Sequence, residues 1–192
     1  MANLVGTAGE HFTAAELSRL GFLVTLTRGN APGIDILAYH PTTQRTVALQ
    51  VKTAHSSKQP RGKWMMNAKD ADETQLRSQA FVLVRFGDPP SPPEFSIVPS
   101  VNVARALHSD HKAWEEAPGA RGQPHSLKNT IRQFKDTAGD WRNRWDIILN
   151  LAGLSGTAGD AGAAERARSG QPGGEWVPSA QGEAAAGGQS LV

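Results

Sequence analysis

Two apolar stretches, Gly33-Ile34-Asp35-Ile36-Leu37-Ala38 and Val47-Ala48-Leu49-Gln50-Val51-Lys52-Thr53, constrain the fold of this chain more than any other feature. Each reads as a β-strand, and each carries polar groups where a strand interior would be apolar. In an extended strand, residues two apart point to the same face. Gln50 and Lys52 therefore share a face, and across a short turn at His40–Gln44 they look toward Asp35. An acid and an amide oxygen can hold a hard divalent cation, and a lysine beside them can orient a water. The bland alternatives are an edge-strand guard against aggregation and a lysine that snorkels to water.

The rest of the chain supplies elements to frame that pair. Thr7-Ala8-Gly9-Glu10 has the form of a capping box, which predicts a helix starting there, with Ala8, Phe12, Ala15, Leu17 and Leu20 as its apolar side and Gly21 as its stop. A strand follows at Phe22–Thr27, then strands at about Ile34–Tyr39 and Thr46–Ala54, the last two forming an antiparallel hairpin. The polar segment 55–69 reads as largely irregular and 70–78 as a short helix. Ala80–Phe86 is a buried-strand pattern, the proline-rich run at 88–93 a surface turn, and 94–98 another strand. Two helices are expected over 100–116, meeting near His108 and His111, then a short piece at 130–134 and an amphipathic helix over 141–151.

Composition narrows the class. The chain has 192 residues and no cysteine, which excludes a disulfide framework and thiolate metal sites. The start lacks a secretory pattern and no apolar run approaches a membrane span, so a cytoplasmic protein is the expectation. Large apolar side chains nearly vanish after residue 152, which divides the chain into a domain at 1–152 and a Gly/Ala-rich tail at 153–192 expected to be disordered. The chain carries 20 Lys and Arg against 18 Asp and Glu, and the excess sits in the first part, a balance that suits a phosphate-bearing partner. Lys58, Arg61, Lys63 and Trp64 can track a phosphate backbone with an aromatic platform, or form a solvated loop. Arg121, Lys128, Arg132 and Lys135 make a second basic group with the same two readings. His108 and His111 lack a third matched ligand for zinc and read as surface residues; Trp141 and Trp145 read as packing.

In this order and spacing the residues resemble the PD-(D/E)xK nuclease superfamily. The opening, with Gly6, Gly9, Glu10, Leu17, Gly21 and Phe22, is similar to the archaeal Holliday-junction-resolvase branch, and the likeness covers about residues 4–100. It implies an α/β restriction-endonuclease-like core, a mixed central sheet flanked by helices, and metal-dependent hydrolysis of DNA phosphodiesters in restriction, repair or junction processing. It implies Asp35 as metal ligand, the Val51 carbonyl as another, Lys52 as the catalytic lysine, Glu10 as a helix-borne acid supporting the ion, and Mg²⁺ or Mn²⁺ as cofactor. Gln50 stands where the family usually has Asp or Glu; a Gln-x-Lys form is familiar from the Mrr-like restriction enzymes. Junction resolvases work as dimers, which implies a homodimer here. Two other classes remain open: a nuclease-fold DNA-binding module with a weakened site, and a protein-interaction domain in which Asp35 and Lys52 are only a buried ion pair.

Overall fold

The computed structural model describes residues 2–27, 32–55, 60–117 and 130–154. Its framework is a five-stranded sheet made of β1 (Leu23–Leu26), β2 (Ile36–His40), β3 (Arg45–His55), β5 (Ala80–Phe86) and β6 (Glu94–Pro99), in the order β1-β2-β3-β5-β6. Pairing is antiparallel except between β3 and β5, which run parallel, so the sheet is mixed as expected. The apolar run Ala80–Val84 occupies β5 next to the centre and is buried throughout, as a strand covered on both faces must be. β4 (Lys63–Asn67) and β7 (Ile131–Lys135) form a separate antiparallel pair.

Alternation along β3 sorts its side chains into two layers. Leu49 and Val51 join one core with Leu17 of α1 (Ala2–Arg19) and Ile148 of α3 (Asp146–Leu151). Ala54 joins the other, with Trp64, Met66 and Phe134 of the β4–β7 pair and Val103 and Leu107 of α2 (Ser100–Glu116). Gln50 and Lys52 share parity with Ala54 and so belong to that second layer.

Several expectations need correction. α1 begins at Ala2, so Thr7 lies inside the helix and no capping box is formed there. Its buried stripe is Gly9, Thr13 and Leu17, spaced four apart, while Phe12 is half exposed and meets Phe86 edge-on. Small residues line the stripe because the helix lies close against β3: a Cβ added to Gly9 would run into the Thr53 side chain. Segment 55–69 is not irregular throughout, since β4 lies within it. Residues 68–75 form two short 3₁₀ turns rather than one helix, and α2 is continuous across His108 and His111. α3 starts only at Asp146; Asn143 just before it has a left-handed φ of 54°, which a continuing helix does not allow. The expected tail falls almost wholly outside the described residues.

The helix contact gives a paired stability prediction. Glycine in a helix normally gains about 0.5–1 kcal/mol on replacement by alanine. Gly6→Ala, with nothing within 4 Å of the new methyl, is expected to follow that rule. Gly9→Ala is expected to reverse it, losing about 1–3 kcal/mol by overpacking against Thr53. Urea unfolding of the two variants checks the sign of each.

Candidate functional site

The site forms where β2 begins. Its pairing with β3 ends at Ile36–Leu49, and Asp35 follows just outside the ladder. The Asp35 N–H donates to the Leu49 carbonyl (2.9 Å), and its own carbonyl accepts from Thr27 N–H (2.9 Å). The backbone is thus pinned on both sides. The Val51 N–H donates to Asp35 Oδ2 (2.8 Å). The carboxylate takes the place of a strand partner that β3 has lost, and this holds one oxygen and aims the group.

Glu10 lies on α1, the helix whose Leu17 packs in the other layer, with Leu49 and Val51. Burial pushes its carboxyl above the usual glutamate range, the Asp35 charge adds to the push, and His11 partly offsets it. Because α1 starts five residues earlier than its motif implied, Glu10 is not tying down a helix end. A raised carboxyl favours the protonated form on folding. Its stabilising contribution is complete below the ordinary glutamate range and is lost as pH rises through the raised value. Glu10→Gln is therefore expected to raise the melting temperature at neutral pH in chelator, with the gain vanishing in acid. If the acid serves an ion, the same variant weakens metal binding by about 10-fold. Thermal melts with and without Mn²⁺ read both effects.

Gln50 is buried, 7% exposed, and lines a cleft of about 190 Å³ together with Gly33, Asp70, Lys69 and Arg77. That is room for roughly six waters. No hydrogen bond to the Gln50 amide is found among the described residues. Lys52, one step along the same face, brings Nζ to 3.8 Å from Asp70 Oδ2. Asp70 is 4% exposed, and the same oxygen accepts from the Asn67 N–H (2.9 Å). The structure thus sets the Asp35 carboxylate against the Val51 N–H, Gln50 in the cleft and Lys52 beside Asp70, a residue the spacing did not single out. Sequence reading missed Asp70 because it sits in a 3₁₀ turn with no periodicity; the one available signal was an acid closely following an apolar alternation at Trp64 and Met66.

The expected phosphate-tracking group is not assembled in that form. Trp64 is no stacking platform: it is 4% exposed, packed in the second core, with Nε1–H donating to the Val84 carbonyl (3.4 Å). The alternation of β4 turns Trp64 and Met66 inward. Arg61 is held by Glu94 at 2.8 Å, Lys63 is half-buried on β4, and Lys58 lies outside the described residues. In the second basic group, Lys135 pairs with Asp110 at 2.7 Å and Arg132 lies on β7; Arg121 and Lys128 lie outside the described residues. His111 pairs with Glu115 (3.1 Å) and stacks on Trp114, and His108 is exposed. Trp145 packs on Phe95, ring centroids 5.2 Å apart. Among the described residues, no three carboxylate, imidazole or thiol side chains gather as a metal-binding group. Nor is any described helix long and apolar enough to cross a membrane.

No protein-family model and no curated protein matches the sequence. Among solved structures, the chain is similar to a bacterial homing endonuclease, at 14% identity over 88% of this chain and 98% of that one, with a TM-score of 0.46. It is also similar to Hjc, a Holliday junction resolvase of Archaeoglobus fulgidus, at 15% identity over 77% of this chain and 95% of that one, with a TM-score of 0.42.

Proposed function

We propose that this protein is a divalent-metal-dependent nuclease that hydrolyses DNA phosphodiesters. The observation that supports the reading is the set of polar groups carried by the start of β2 and by β3: a carboxylate held by the Val51 N–H, a buried amide lining a cleft, and a lysine 3.8 Å from Asp70, which lines that cleft too.

The donor chemistry fits a hard cation. Asp35 Oδ2 is occupied by Val51, which leaves Oδ1 for an ion. A strand residue sends its N–H and C=O to the same edge, so the Val51 carbonyl lies on the edge that Asp35 occupies. With the Gln50 amide oxygen these make an all-oxygen set of the kind Mg²⁺ or Mn²⁺ takes, completed by water. Glu10, whose carboxyl feels the Asp35 charge, would accept hydrogen bonds from such waters. When bound, the ion lowers the pKa of a coordinated water and offsets charge on the phosphate. Lys52 orients the attacking water and stabilises the developing negative charge, held in place by the Asp70 carboxylate. Gln50 contributes an oxygen without charge, so the site carries one negative charge fewer than a carboxylate pair would. A homodimer, which would place two such sites on two strands, belongs to the same proposal.

Cleavage of supercoiled, branched and single-stranded DNA, with Mg²⁺ or Mn²⁺ and with chelator, tests the function. Metal-dependent scission that Lys52→Ala abolishes is the expected result; no scission of any substrate with either ion removes the enzyme reading. Gln50→Glu is expected to tighten Mn²⁺ binding by about 10-fold or more, since a charge added beside the ion at short range amounts to at least about 1.4 kcal/mol. Unchanged affinity by calorimetry means that this side chain does not reach the ion.

A further inference from the structure

Two cations line the cleft that holds Gln50 and Asp70, and they come from separate segments of its wall. Lys69 immediately precedes Asp70, the residue that draws Lys52. Arg77 packs its stem against Gly33, two residues before Asp35: a Cβ added to Gly33 would sit 3.4 Å from the Arg77 Cβ, and Gly33 has a φ of +76°. Both cations are exposed, and among the described residues neither enters an ion pair. Arg61, Arg105 and Lys135, by contrast, are each held by a carboxylate. Lys69 thus adjoins the residue that pairs with Lys52, and Arg77 adjoins the segment that leads into Asp35.

We infer that Lys69 and Arg77 bind the phosphates on either side of the scissile one, and so seat a nucleic-acid strand over the cleft through its backbone. This rests on the nuclease reading and assigns it a substrate grip that the sequence had placed at residues 58–64. Arg77 can grasp a phosphate through two parallel N–H groups, while Lys69 acts as a point charge. Neither interaction reads a base, so the grip is indifferent to sequence.

The test is binding of a fluorescent DNA oligonucleotide by anisotropy, across a salt series, in chelator so that no chemistry intervenes. Lys69→Ala/Arg77→Ala is compared with wild type and with Arg19→Ala/Lys112→Ala, which removes two exposed cations from α1 and α2. Removing one cation from a bound phosphate should flatten the plot of log affinity against log salt by about 0.7–0.9. The cleft variant is expected to show about twice that change, the control none. In cleavage the loss should fall on KM more than on kcat. Lys69→Arg/Arg77→Lys keeps both charges and should restore the slope. If the cleft variant matches wild type in slope and affinity while wild type binds and cleaves DNA, the grip is wrong and the nuclease reading stands. If wild type neither binds nor cleaves DNA, both fall together.

Discussion

Lys52→Ala is expected to lower DNA cleavage by about 10²–10⁴-fold, the range for losing a positioned proton-transfer or charge-stabilising group. The reason is geometric. β3 alternation turns Lys52 to the face of the cleft, and Asp70 holds its Nζ at 3.8 Å in a half-buried setting. Among the described residues no other amine is placed there by a strand; Lys69 is exposed on the rim. Removing the ammonium also strands Asp70, which is 4% exposed and whose carboxylate then rests on the Asn67 N–H. A stability loss of about 1–2 kcal/mol should therefore accompany the loss of turnover. Metal binding and DNA binding should survive it. Single-turnover rates, a melting curve and an Mn²⁺ titration on one preparation separate the chemical loss from the structural one. Turnover within about a factor of three of wild type, small beside the range for a catalytic group, would mean that Lys52 serves the fold alone.

Asp35 gives the second large effect, and two substitutions divide it. Asp35→Asn retains an oxygen that can accept from the Val51 N–H but removes the charge. It should fold nearly as well as wild type and lose metal binding, with cleavage down by about 10³-fold or more, as expected when several kcal/mol of ion-dependent stabilisation is withdrawn. Asp35→Ala removes both functions. It leaves the N–H of a residue only 8% exposed without its acceptor. That should cost a further loss of about 1–3 kcal/mol in stability. A difference in urea midpoint between the two variants, with equal loss of cleavage, supports the assignment of one oxygen to the backbone and one to the ion. Equal stability of the two would show that the Val51 bond contributes nothing.

The parts of the fold that were legible in the sequence are those written in local periodicity. The β2–β3 hairpin and β5 follow from short apolar runs between turn signals, and the shared face of Gln50 and Lys52 follows from the two-residue repeat. Asp35 at the strand start was legible for the same reason. What was not legible depends on partners distant in the chain. β4 is a strand because β7 pairs with it, placing Trp64 opposite Phe134 from far along the sequence. Without that partner, its lysine, tryptophan and methionines read as a polar loop, and Trp64 passes for an exposed platform. The places of Asp70 and Lys69 follow from the same pairing, since the 3₁₀ turn after β4 carries them to the cleft. The start of α1 was misread for another reason. Thr7 and Glu10 satisfy the local capping pattern, but Ala2–Gly6 contains nothing that stops a helix, and the helix runs through it.

The nuclease reading stands or falls on whether Asp35, Gln50 and the Val51 carbonyl hold one divalent ion. Anomalous diffraction from crystals grown with Mn²⁺ would show this without recourse to activity. The expected result is a single peak at about 2.0–2.3 Å from an Asp35 oxygen, the Gln50 amide oxygen and the Val51 carbonyl, with a water between the ion and Glu10. A peak elsewhere on the molecule, or none at saturating Mn²⁺, contradicts it.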